Sequence, residues 1–104
     1  MSKEHLESLK EIMDSYSRLH PIGNKSQRNL AFSPVKTRIQ NLIISISDTP
    51  YANMIGRLDD LMFHLKGSLG TRGTDGYTPD KHKYWARHYY TVLERNFKKE
   101  YSHS

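Results

Sequence analysis

Three times in this chain a hydroxyl side chain stands directly before proline: Ser33-Pro34, Thr49-Pro50 and Thr78-Pro79. A Ser or Thr at a helix N-cap accepts an orphan backbone N–H. Proline at the first helical position lacks a donor that would have had no partner there. Apolar residues at three- and four-residue spacing follow each pair. The chain is therefore expected to be all-α, with one helix opening at each pair and another ahead of them.

The first helix is drawn from about Ser2 to Arg18 by the stripe Leu6, Leu9, Ile12, Met13, Tyr16 and Leu19. Ser2 suits its N-cap, Glu4 and Glu7 suit its positive end, and residues 20–26 stop it. The second, opening at Pro34, carries Val35, Ile39, Leu42, Ile43 and Ile46, although its β-branched Ile43-Ile44 pair also suits a strand. The third carries Met54, Ile55, Leu58, Leu61, Met62 and Leu65 and ends at Gly67 or Gly70. The fourth starts at Pro79 and runs to about Glu100. Between the last two, residues 67–77 place Gly at every third position, which reads as a mobile loop. The expected architecture is a single domain over 1–104, a compact bundle of four helices.

On the fourth helix, with Trp85 at zero, Tyr89, Leu93, Ala86, Phe97, Tyr90 and Tyr101 fall between about 40° and about 160°. That arc, with Trp85 at its edge, is the expected core face, and Trp85, Tyr89, Tyr90 and Phe97 are expected in the core rather than as a stacking platform. The arc from about 200° to about 320° carries Arg87, Lys98, Thr91, Tyr84, Arg95, His88, Lys99 and Lys81, with one acid inside it, Asp80 in the first turn, and Glu94 at its edge. A solvated face normally balances its cations with Glu at i±4. This one points instead to an anionic partner, and Tyr84 and Tyr77 are the aromatic residues expected to be free to contact it.

Charge is segregated along the whole chain. The net charge is +5. Residues 15–47 hold Arg18, Lys25, Arg28, Lys36 and Arg38 and no acid, while the acids gather in the first helix and around Asp48, Asp59 and Asp60. Such a distribution governs partners more than fold. The expected contacts to DNA or RNA are Arg18, Lys25, Arg28, Lys36, Arg38, Arg72, Lys81, Lys83, Tyr84, Arg87, His88, Arg95, Lys98 and Lys99, mainly to phosphates. No groove-reading motif is present, so sequence specificity is expected to be low. The alternative partner is an acidic protein surface, with the chain acting as an adaptor or as an inhibitor of a larger nucleic-acid enzyme, in the manner of small phage-encoded effectors. A homo-oligomer is compatible with either.

Other chemistry finds little support. There is no Cys, which removes disulfides, thiolate metal sites and a Cys nucleophile. The six His include no i, i+4 pair, so no metal or cofactor is expected. The loop before Pro79 lacks the G-x-x-x-x-G-K-[ST] order of a nucleotide-hydrolysis loop. The charged start and the short apolar run Leu42-Ile43-Ile44 argue for a cytoplasmic protein with no membrane partner. One pair remains. Arg57 and His64 share an azimuth at the polar edge of the third helix, where ordinary surface residues belong. Their spacing resembles the R-x(4-6)-H motif of HEPN ribonucleases, which are also small helical bundles. The resemblance implies an Arg57 that holds a phosphodiester and a His64 that moves a proton. Arg57 is not followed by the Asn, Asp or His common in that family. The chain is expected to be non-enzymatic, with no catalytic residue.

Overall fold

The computed structural model describes residues 2–19, 23–70 and 76–103, with side chains over 4–19, 23–70 and 76–99. Within these the fold is all-α. Four helices run α1 (Ser2–Ser17), α2 (Lys25–Ile46), α3 (Ile55–Ser68) and α4 (Pro79–His103), and a 3-10 turn over Pro50–Met54 leads into α3. Each helix packs on its neighbours in sequence, and α4 closes back onto α1. The diagonal pairs make little or no contact. This is the bundle topology that short connections between amphipathic helices favour.

Two of the three hydroxyl–proline pairs open helical segments. Thr49 Oγ1 accepts the Tyr51 N–H at 3.1 Å, although the first turn it caps is 3-10 rather than α. Thr78 Oγ1 accepts the Lys81 N–H at 3.2 Å, and its carbonyl accepts the His82 N–H at 3.0 Å. The third pair does not open a helix. Ser33-Pro34 lies inside α2, whose N-cap is Asn24 in a reciprocal capping box with Gln27. That box outcompetes Pro34 because it satisfies two orphan donors at once. Pro34 removes only the bond to the Leu30 carbonyl, and both residues lie on the exposed side of the helix, where solvent reaches that carbonyl. The Ile43-Ile44 pair is helical, and no strand occurs among the described residues.

The longer α2 brings Phe32 into line with Val35, Ile39, Leu42 and Ile46, all buried and alternating steps of three and four residues. They meet Leu6, Leu9 and Ile12 of α1, Leu58, Leu61 and Leu65 of α3, and Ala86, Leu93 and Phe97 of α4. Trp85, Tyr89 and Tyr90 were expected in this core and are only half-buried. The inward direction of α4 runs through Leu93, Ala86 and Phe97, which leaves Trp85 on its flank. At the far end of α3, the chain closes with the Gly70 N–H on the Gly67 carbonyl at 2.9 Å and Gly70 at φ +74°, a conformation that favours glycine. Of the segment 67–77 expected to be a mobile loop, Gly67 and Ser68 instead belong to α3, and residues 71–75 lie outside the described residues.

Proline in a helix interior costs about 3 kcal/mol relative to alanine, partly offset by the entropy it removes from the unfolded chain. Pro34→Ala is therefore expected to raise stability by about 1–3 kcal/mol, read as a higher Tm. A lower Tm would mean that the ring makes contacts the helix depends on.

Candidate nucleic-acid interface

The cations predicted on α4 all reach solvent. Lys81, Lys83, Arg87, Arg95, Lys98 and Lys99 are exposed, together with Tyr84 and His88. From Lys81 to Lys99 they cover about 27 Å of helix. Lys98 pairs with Glu94 at 3.8 Å. The other five form no ion pair among the described residues. Lys81, Arg87, Arg95 and Lys99 thus stand unpaired on the outer arc, with exposed Asp80 in its first turn, while Lys83 lies off that arc at about 160°.

The acid-free stretch behaves differently, because acids of α1 reach two of its cations. Arg18 pairs with Asp14 at 2.8 Å and Arg38 reaches Glu11 at 3.3 Å, both acids coming from α1. Arg28 is half-buried and donates to the Leu69 carbonyl at 3.3 Å, against Gly70. A Cβ on Gly70 would stand 2.8 Å from that guanidinium. Arg28 therefore ties α2 to the end of α3, and as a phosphate contact it would have to leave this seat. Its Nε is buried with no partner. Lys25 and Lys36 are exposed, and Lys36 lies beside Asp59 and Lys66 along one groove. Arg72 lies outside the described residues. The fold therefore does not gather the predicted contacts into one patch: α4 keeps its unpaired cations, while over residues 18–38 Arg18 and Arg38 meet acids, Arg28 meets a carbonyl, and Lys25 and Lys36 stay exposed.

Beneath α4 sits a cluster that the spacing of the histidines in sequence does not disclose. His64 of α3 and His82 of α4 are 5% and 1% exposed, with their Nδ1 atoms 3.0 Å apart. One Nδ1–H must donate and the other Nδ1 accept, so the rings hold opposite tautomers. Tyr89 stacks on His64 at 5.7 Å and 11°, and Phe63 meets both imidazoles edge-on. Tyr77, expected to be available to a ligand, packs edge-on against His64 and lies 4.9 Å from the His82 ring. The His82 ring rests on Gly67: a Cβ there would lie 2.6 Å from His82 Cγ and closer still to Cδ2. In sequence, the available signal was that His82 falls at about 60° on the α4 wheel, inside the core arc.

This burial separates the pair that resembles the ribonuclease motif. Arg57 is exposed, as expected, but His64 is enclosed in the α3–α4 seam rather than at a polar edge. The α3 stripe extends past Leu65 to His64 and Ser68 because His82 and Tyr16 supply polar partners there: the Tyr16 hydroxyl donates to Ser68 Oγ, which donates to the Leu65 carbonyl at 2.7 Å. Among the described residues, no group of three or more His, Asp or Glu side chains is placed to hold a metal ion. No described helix is long and apolar enough to cross a membrane.

Between α1, α3 and α4 runs a groove of about 400 Å³, floored by Met13, Leu65 and Ala86 and rimmed by Lys83 and Arg87. The Tyr90 phenol on its wall donates to Glu94 at 3.0 Å. Burial, then this hydrogen bond and the Glu94 charge, push Tyr90 up to about 12. No protein-family model matches the chain, and comparison with curated proteins and with solved structures likewise gives no match.

Two outcomes follow from this packing. Gly67→Ala is expected to lower stability by about 1–3 kcal/mol through overpacking, despite the better helix propensity of alanine. Adding His82→Ala to it is expected to cost less than the sum of the two single changes, whereas additive losses in a double-mutant cycle would refute the contact. For Tyr90, the folded chain holds a proton that the unfolded chain releases above its ordinary value of about 10. The stabilisation is complete below that pH and is lost as pH rises towards 12. Tyr90→Phe is expected to remove this share of the alkaline loss in a pH series of thermal melts, and an unaltered pH profile would contradict it.

Proposed function

We propose that this protein binds DNA or RNA through phosphate contacts made by the outer face of α4, and that it performs no chemistry of its own. The observation that carries the reading is the row of exposed cations from Lys81 to Lys99, in which only Lys98 has an acidic partner among the described residues. Four cations, Lys81, Arg87, Arg95 and Lys99, held on one arc against the single acid Asp80, raise the energy of the free protein slightly. They lower it when a polyanion replaces its condensed counterions with them. Lys25 and Lys36 can add contacts at longer range, while Arg18, Arg28 and Arg38 are already engaged. The burial of His64 apart from Arg57 supports a binding role over the ribonuclease that their spacing resembles.

One observation favours docking on an acidic protein surface instead. The groove beside α4 offers an apolar floor next to Lys83 and Arg87, a combination that accepts an apolar anchor flanked by acids. The phosphate reading is preferred because the unpaired cations extend well beyond that groove, to Arg95 and Lys99.

Fluorescence anisotropy with labelled nucleic acid across a salt series tests the proposal. With six or so phosphate contacts, affinity is expected to fall by about 10³-fold or more between about 50 and about 200 mM salt. Replacing Arg87, Arg95 and Lys99 together with Ala is expected to reduce the slope by roughly two to three units with the Tm preserved. Absence of binding to any DNA or RNA at low salt would overturn the reading.

A further inference from the structure

The strand form of the partner follows from the aromatic residues set into the cationic row. Tyr84 is 67% exposed, far more than any other described aromatic side chain the core leaves uncovered. It does not hang free. Its ring stands edge-on to Trp85 at 5.4 Å and 86°, and the exposed His88 ring stands edge-on to the same indole at 5.5 Å and 85°. Trp85 in turn stacks toward the buried His64 at 27° and contacts Tyr89. Two outward rings are thus braced on an indole that is itself anchored in the α3–α4 seam.

The placement of this group matters as much as its rigidity. Lys81 precedes Tyr84 by three residues and His88 follows it by four, so all three lie on adjacent turns of one face. Arg87 lies three residues past Tyr84, and Arg95 lies two turns beyond His88. The cations suit a phosphate backbone, and the exposed Tyr84 ring stands among them, with Asp80 one turn before it. A duplex buries its base faces in its own stack and presents only edges and phosphates. A single strand offers a free π-face at each nucleotide, and stacking on an aromatic ring is tolerant of sequence.

Resting on the phosphate-binding reading, we propose that α4 binds single-stranded nucleic acid in preference to duplex, with a base stacked on Tyr84 and the flanking phosphates on Lys81, Arg87 and Arg95. Tyr84 is a contact residue here, with Trp85 as its positioning residue.

The test uses the whole chain with labelled oligothymidylate, alone and annealed to its complement, at one low salt concentration. Wild type is expected to bind the single strand more tightly than the duplex. Tyr84→Leu is expected to lose about tenfold in affinity for the single strand and nothing for the duplex, while Tyr84→Phe restores wild-type binding. The salt slope is expected to be unchanged in both variants, since neither removes a charge. Equal binding of both forms, or a Tyr84→Leu variant that binds the single strand as wild type does, overturns the single-strand assignment and leaves the phosphate reading standing. Binding of neither form by wild type overturns the phosphate reading and this assignment with it. Because Tyr84 is exposed, circular dichroism of the variants is expected to match wild type, so a loss of binding reports the contact rather than the fold.

Discussion

Everything α4 presents to solvent depends on how its inner face is seated on α3, and that seat is the His82 imidazole. It lies flat enough on Gly67 that no side chain fits there, and it hydrogen-bonds His64 at 3.0 Å. A helix packed only by aliphatic side chains can rotate by several degrees at little cost, because the hydrophobic effect is non-directional. A buried hydrogen bond between two imidazoles is directional, and leaving it unmade is costly. The contact therefore fixes the azimuth of α4. With His82, Leu93 and Phe97 turned inward, Lys81, Tyr84, Arg87, His88, Arg95 and Lys99 must face out.

The electrostatics follow from the same seating. Basic stretches that look alike in sequence end in opposite situations. Over residues 18–38, Asp14 meets Arg18 from one turn earlier, α1 lies alongside α2 and supplies Glu11 to Arg38, and the end of α3 accepts Arg28. Along α4 the neighbours α1 and α3 contact only the inner face, so no acid from another helix meets the outer one among the described residues. Exposed pairs such as Arg18–Asp14 contribute little to stability, but they do cancel local field. The longest run of unpaired cations belongs to α4, with Lys25 and Lys36 of α2 also exposed, which is why the proposed interface is narrower than composition alone indicates.

Much of the bundle was legible in the chain because helical periodicity and core burial are the same physical fact. The stripes through Leu9 and Ile12, through Ile39 and Leu42, and through Leu58 and Leu61 are buried as their spacing requires. The start of α2 was misplaced because Pro34 is the louder signal while Asn24 and Gln27 form the better cap. The cationic arc of α4 was legible for the same reason as the stripes, being local to one helix. What stayed hidden were contacts between helices. No spacing rule joins His64 to His82, or Arg28 to Leu69, since their separations in sequence carry no period. Trp85 illustrates the limit from the other side: its identity marks it as core, yet a turn of the helix toward His82 leaves it half-buried, bracing Tyr84.

The central claim is that one face of one helix is the binding surface. The most direct measurement is an amide NMR titration of the whole chain with a short oligothymidylate, mapping shift changes onto the bundle. The account predicts that changes concentrate on the outer face of α4 between Lys81 and Lys99, with Tyr84 and Arg87 among the largest, and that Arg18 and Arg38 hardly move. Changes centred on α2 around Lys25 and Lys36, with α4 silent, would contradict it.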